Sequence, residues 1–113
     1  GIVVVTTPQD LVEMIVGKAV HMAKMMNVPI LGLVENMSFF ACSDCGKIFE
    51  PFGKSKAEAL AKKHNIPACA RMPLDPELAR LADEGKIEQA ETDRLSEIFL
   101  QIENAREIKD FLP

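Results

Sequence analysis

Cys42 and Cys45 stand two residues apart in the segment Phe39-Phe40-Ala41-Cys42-Ser43-Asp44-Cys45-Gly46. That spacing lets two thiolates converge on one metal ion, and Gly46 lets the backbone turn sharply behind the second sulfur. A closed all-thiolate site needs about four ligands. The third cysteine, Cys69, stands alone, so the pair amounts to half a site. A second copy of the same chain is the simplest source of the other half. By spacing alone zinc and an iron–sulfur cluster both qualify, since each suits thiolate donors. A dithiol oxidoreductase uses the same spacing, but its pair opens a helix whose N-terminus lowers the thiol pKa. Gly46-Lys47-Ile48-Phe49 reads instead as a turn into an extended arm.

The other reactive side chains are weaker candidates. His21 and His64 lie on predicted helices among charged or apolar neighbours. Cys69 falls in an apolar strand pattern, where a free thiol packs as a small hydrophobe. Phe39, Phe40, Phe49 and Phe52 flank the cysteines, either as a local cluster or as part of an interface, where aromatics are favoured. Met14, Met22, Met25 and Met26 are expected to fill the core. Lys62-Lys63 reads as a solvated helix end.

With 113 residues the chain is sized for one domain. A net charge of −4 and a sequence pI near 5.2 argue against nucleic acid or an anionic membrane as partner. No apolar run approaches the roughly 20 residues of a membrane span, and no signal peptide is visible. Three cysteines are too few and too odd in number for a disulfide framework, which points to a reducing cytoplasm. Gly1 opens directly into a strand pattern, which reads as a piece of a longer protein.

Ile2-Val3-Val4-Val5-Thr6 and Ile30-Leu31-Gly32-Leu33-Val34 are unalternating apolar runs, as in strands buried on both faces of a parallel sheet. Between them a helix is predicted to start with Thr7 as N-cap, Pro8 in its first turn and Asp10 as the reciprocal arm of the cap. Its inward face is Val12, Ile15, Val16, Ala19, Met22, Ala23 and Met26, and Asn27 and Pro29 end it. This is one βαβ unit with parallel strands. The segment 37–53 then interrupts as a cysteine loop. A helix from Lys54 to about His64 turns Ala57, Leu60 and Ala61 inward. Ile66 to Ala70 is a third strand, where Pro67 favours an edge or a strand-start position. Asp75 and Pro76 start a helix carrying Leu78, Leu81 and Ala82 and ending near Gly85. A last helix from about Thr92 to Phe111 carries Leu95, Ile98, Phe99, Ile102 and Ile108. The expected fold is α/β, a partial doubly wound parallel sheet with flanking helices, whose sheet continues in strands outside this sequence.

Four segments in order carry a family resemblance: Val5-Thr6-Thr7-Pro8-Gln9-Asp10, Gly32-Leu33-Val34-Glu35-Asn36-Met37-Ser38, the cysteine pair with Gly46, and Pro73-Leu74-Asp75-Pro76. Together they resemble the C-terminal half of the Mrp-type (ApbC-like) iron–sulfur cluster carrier ATPases, of the MinD/ParA branch of P-loop NTPases. The resemblance implies a homodimer whose two cysteine pairs bridge a 4Fe–4S cluster destined for apo iron–sulfur proteins. It also implies ATP with Mg²⁺ at a Gly-rich loop in the full-length protein. The positions that contact adenine in that class match Asn36, Pro73 and Asp75. The alternative is a structural or dimerisation module holding zinc, with no transfer activity.

This sequence departs from that family in lacking a G-x-x-x-x-G-K-S/T loop and an acidic strand end to hold Mg²⁺. Gly53-Lys54-Ser55 matches the end of such a loop, but Ile48 stands where its first glycine belongs. Without that glycine the backbone amides do not close around phosphates. The purified chain is therefore expected to show no ATPase turnover, measured as phosphate release. Steady release above a protein-free control refutes this.

Overall fold

Val3 to Thr6 run beside Gly32 to Glu35 with parallel register, Val4 opposite Leu33 and Val5 opposite Val34. The computed structural model describes residues 1–9 and 11–109, the last four of these as backbone only. Strands β1 (Ile2–Thr6), β2 (Ile30–Glu35) and β5 (Cys69–Arg71) form one parallel sheet in the order β1-β2-β5. Strands β3 (Phe40–Ala41) and β4 (Ile48–Phe49) form a separate antiparallel hairpin. The helices are α1 (Val12–Met25), α2 (Ala57–Lys63), α3 (Pro76–Asp83) and α4 (Ser96–Lys109).

Alternating side chains of β2 send Leu33 and Val34 to opposite faces, and each face has its own core. On one face Leu33 and Val4 pack with Val12, Val16 and Val20 of α1 and with Ala57, Leu60 and Ala61 of α2. On the other, Val34, Ala68 and Ala70 pack with Ile98 of α4. Gly32 makes the second contact possible, because a Cβ there would lie 2.4 Å from Ile98 Cδ1. The sheet is thus covered by helices on both sides, as a doubly wound fold requires. The third strand is later than expected: β5 is Cys69–Arg71 rather than Ile66–Ala70, Pro67 lies before it, and among the described residues it pairs on one side only, at the edge.

Several expectations are corrected. α1 begins at Val12, with Leu11 rather than Thr7 as its cap. Thr7 to Gln9 instead bend, the Val12 amide bonds to the Gln9 carbonyl at 3.1 Å, and Pro8 is fully buried. Asp10 lies outside the described residues. The buried stripe of α1 is Val12, Val16, Val20 and Ala23, each set a turn from the next. Ile15, Met14, Met22, Met25 and Met26 are exposed, Met25 at 72%. The methionines therefore do not fill the core. β-branched valines occupy the close contact of helix and sheet, and the longer side chains rotate out of it. Val5 is 64% exposed, so the α4 side of β1 is open toward its C-terminal end, although Val3 packs against the Val34 core. α2 starts at Ala57, three residues late, because Gly53 turns the chain at φ +100°. Ala82, Phe99 and Ile102 face outward, although Leu81 and Ile98 are buried. A 3₁₀ turn over Asp93–Leu95 leads into α4, which starts at Ser96 rather than about Thr92. The side chain of Ile108 and all of Phe111 lie outside the described residues.

The corrected face of α1 is testable by substitution. Val16→Ala removes two buried methyl groups and should cost about 2 kcal/mol. Met22→Ala should change stability by less than about 0.5 kcal/mol. Chemical denaturation of both variants gives the comparison, and equal losses would restore Met22 to the core.

Candidate metal centre

The cysteine pair sits at the tip of the β3–β4 hairpin, where Phe40 pairs with Phe49 and Ala41 with Ile48. The Cys42 amide donates to the Lys47 carbonyl at 2.9 Å, and the Gly46 amide donates to the Cys42 carbonyl at 2.9 Å. Gly46 takes φ +70°, the left-handed conformation a side chain would resist. This knuckle turns the amides of Cys45 and Asp44 toward the Cys42 sulfur. Those two contacts, then the Cys45 thiol, hold the Cys42 pKa below the usual thiol range. The cause is electrostatic: N–H donors stabilise the thiolate, the form that binds metal. Cys42 is half-buried and Cys45 exposed. Among the described residues no group of three or more His, Cys, Asp and Glu side chains is arranged to hold a metal.

Cys69 is elsewhere, in β5, packed against the α1–α2 face of the sheet. Burial, followed by the charge of Glu35, pushes its thiol pKa up. His21 is exposed on α1, and His64 caps the C-terminal end of α2 with its Nε2 buried. Of the four phenylalanines, only Phe39 is buried, with the guanidinium groups of Arg71 and Arg94 over its ring at 5.5 and 4.8 Å. Phe40, Phe49 and Phe52 remain exposed around the hairpin.

Asn36 follows β2, and Pro73 lies just beyond β5, so both stand at the carboxyl edge of the parallel sheet. That edge is where ligands bind in open α/β sheets. Backbone bonds tie the two segments together beyond the strands: Ser38 N to Met72 O at 2.9 Å and Leu74 N to Phe39 O at 2.7 Å. Pro73 and Asp75 line a cavity of about 500 Å³ with Leu78, Arg80, Glu91 and Arg94. Asn36 is not among its lining residues; its amide bonds to the Thr6 carbonyl at 2.7 Å. Asp75 also has a structural task, its carboxylate accepting the Glu77 amide at 2.9 Å as the cap of α3. A larger groove of about 920 Å³ runs along β5 from Ile66 to Arg71 and includes neither Cys42 nor Cys45.

One residue central to this region escaped sequence reasoning. Glu35 ends β2 and is completely buried, with both carboxylate oxygens engaged. The strand does end in an acidic residue, but its two oxygens are occupied by protein donors. Ser38 Oγ donates to Oε1 at 2.6 Å, and the Lys56 amide donates to Oε2 at 3.0 Å. The usable signal was a charged residue at the end of a wholly apolar strand, since buried carboxylates need partners.

The profile of the ParA family, described as NUBPL iron-transfer P-loop NTPase, matches residues 1–107. The chain belongs to that family. Curated relatives include an iron-sulfur cluster carrier protein of Methanocaldococcus jannaschii, 40% identical over 85 residues, covering 75% of this chain and 29% of that protein. A second, from Haemophilus influenzae, is 38% identical over 104 residues, 90% of this chain and 28% of its own length. A solved nucleotide-binding protein from Archaeoglobus fulgidus, in complex with ADP and with Co found in it, superimposes with TM-score 0.73 at 39% identity. That match covers 82% of this chain and 39% of the other. The NTPase family resemblance and the α/β fold are thus shown, while the chain spans under a third of these two carriers' length.

The opposite pKa directions of Cys42 and Cys69 predict an order of reaction. A lowered pKa keeps the thiolate to lower pH and a raised one delays it, so Cys42 alkylation by iodoacetamide should set in at lower pH than that of Cys69. Peptide mass spectrometry across a pH series reads the order. Earlier onset at Cys69 would contradict the knuckle geometry.

Proposed function

We propose that this chain carries an iron–sulfur cluster as cargo, shared between two copies through Cys42 and Cys45, and passes it to apo iron–sulfur proteins. The observation that carries the reading is the knuckle itself. It is a thiolate-stabilising turn at an exposed hairpin tip, with two sulfurs and no third ligand grouped with them among the described residues. The relatives named iron-sulfur cluster carrier proteins support the choice of cluster over zinc. Phe40, Ile48 and Phe49, exposed beside the sulfurs, supply apolar surface for a symmetric contact.

Sharing suits a carrier. A cluster held by two cysteines from each side lies at an interface, within reach of an acceptor's thiolates. Transfer then proceeds by ligand exchange: an acceptor sulfur bonds to iron as a carrier sulfur leaves, and the departing thiolate takes up a proton. The exposed Cys45 is accessible to that exchange, while Cys42 is held by its amides.

Nucleotide would belong to the opposite element of the reading. Asn36 and Pro73 at the carboxyl edge of the sheet, with Asp75, fit the edge of an adenine site, supported by the ADP complex of the Archaeoglobus relative. Bound ATP with Mg²⁺ would supply the energy of phosphoryl transfer; this chain's residues would only hold and orient the base. Gly53-Lys54-Ser55 is a turn before α2, its Gly53 amide bonded to the Glu50 carbonyl at 3.1 Å, and offers no phosphate loop.

Anaerobic reconstitution with iron and sulfide tests the proposal. One cluster should form per two chains, with visible absorbance and a dimeric mass. Cys42→Ser and Cys45→Ser should each abolish cluster binding, because symmetry removes two of about four ligands at once. Cys69→Ser should retain the cluster and cost at most modest stability. A colourless protein that takes up stoichiometric zinc in its place, or a full site on a monomer, would refute the reading.

A further inference from the structure

Arg71 touches both legs of the cysteine hairpin. Its Nε donates to Ser38 Oγ at 2.7 Å, on the leg that enters β3. Its Nη2 lies 3.6 Å from Glu50 Oε2, on the leg that leaves β4. The same Glu50 oxygen accepts the Ser55 amide at 3.2 Å, which ties the leaving leg to the approach of α2. Ser38 in turn donates to the buried Glu35, whose Oε1 is 3.8 Å from Arg71 Nε. Hydrogen bonds therefore run in one direction, Arg71 to Ser38 to Glu35, and an ion pair extends them to Glu50. Phe39 lies beneath the guanidinium and limits its movement.

Backbone bonds from Ser38 N to Met72 O and from Leu74 N to Phe39 O hold the entering leg, so the leaving leg is the one that most needs the Arg71–Glu50 contact. The hairpin strands have two residues each, and they pair only with each other. An isolated two-stranded hairpin is marginal in water. The parallel sheet, by contrast, is anchored in two cores.

We infer that Arg71 is a positioning residue that clamps both legs of the hairpin and so fixes the direction in which Cys42 and Cys45 face a second copy. A planar guanidinium suits this task, since its separated donors reach two acceptors in a set geometry and a lysine ammonium does not. Glu35 is the fixed end of the clamp and Glu50 its outer jaw. The inference rests on the shared-cluster reading above, because a direction matters only where two pairs of sulfurs must meet.

Glu50 is partly exposed, with 40% of its side chain accessible, so Glu50→Gln spares the fold. The experiment compares reconstituted wild type with Glu50→Gln, Arg71→Gln, Arg71→Lys and the Glu50→Gln/Arg71→Gln double variant. Two quantities are read: the melting temperature of the apo protein and the rate at which an iron chelator strips the cluster. Glu50→Gln should melt near the wild type yet lose iron roughly threefold faster or more, the size expected for one partly exposed ion pair. Arg71→Gln also takes positive charge from the buried Glu35, so it should melt lower and lose iron at least as fast. The double variant should lose it no faster than Arg71→Gln alone, because both changes open one clamp. Arg71→Lys should fall between wild type and Arg71→Gln. Stripping rates equal to wild type in both single variants overturn the inference while leaving the shared cluster intact. A Glu50→Gln rate that merely follows a falling melting temperature overturns it as well. A wild type that takes up no cluster overturns both readings.

Discussion

A fully buried carboxylate organises the business end of this chain. Removing an ionised group from water costs several kcal/mol unless hydrogen bonds and charge replace the lost hydration. Glu35 meets that demand with the Ser38 hydroxyl, the Lys56 amide and the nearby Arg71 guanidinium. Each partner comes from a different element: the entry to the hairpin, the cap of α2 and the end of β5. Satisfying one side chain thus joins three segments that the chain order keeps apart. The backbone bonds from Ser38 to Met72 and from Leu74 to Phe39 run alongside and complete the seam.

The consequence is a division between rigid and exposed chemistry. Everything at the carboxyl edge of the sheet is built on paired strands and buried packing. The cysteines project from that platform on a short hairpin whose sulfurs face outward. The proposed carrier role needs both properties, since cargo would have to be held in a defined geometry and still be reachable. The knuckle reconciles them locally by fixing Cys42 with backbone donors while leaving Cys45 open.

Much of this was legible in the sequence, for physical reasons. The strands announced themselves as β-branched runs, and the knuckle by its spacing and its glycine. Asp75 and Pro76 gave the start of α3 to the residue, because capping is a local interaction. What failed was orientation and long-range chemistry. The register of α1 was misjudged because apolar residues cover well over half its circumference, so periodicity alone could not choose between valines and methionines. Thr7-Pro8 looked like a helix start, yet Pro8 is buried in tertiary contacts that no local signal encodes. Glu35 was invisible as a hub, since its partner Arg71 lies 36 positions away along the chain. Asn36 and Pro73 could be assigned to one sheet edge, but the cavity beside Pro73 excludes Asn36.

The separation of the two sheets has an evolutionary and practical consequence. The three-stranded sheet and its helices decide how long the polypeptide survives, whereas under the proposed function the hairpin would decide how long the cargo stays. The two are joined at one seam, by polar side chains and two backbone bonds, so under the proposed function these lifetimes could be adjusted separately. If the chain carries a cluster, substitutions among Phe40, Ile48, Phe49 and Phe52 would retune residence and acceptor preference without touching the valine and alanine packing beneath. Such a layout lets one scaffold diversify into carriers that differ in how readily they let go.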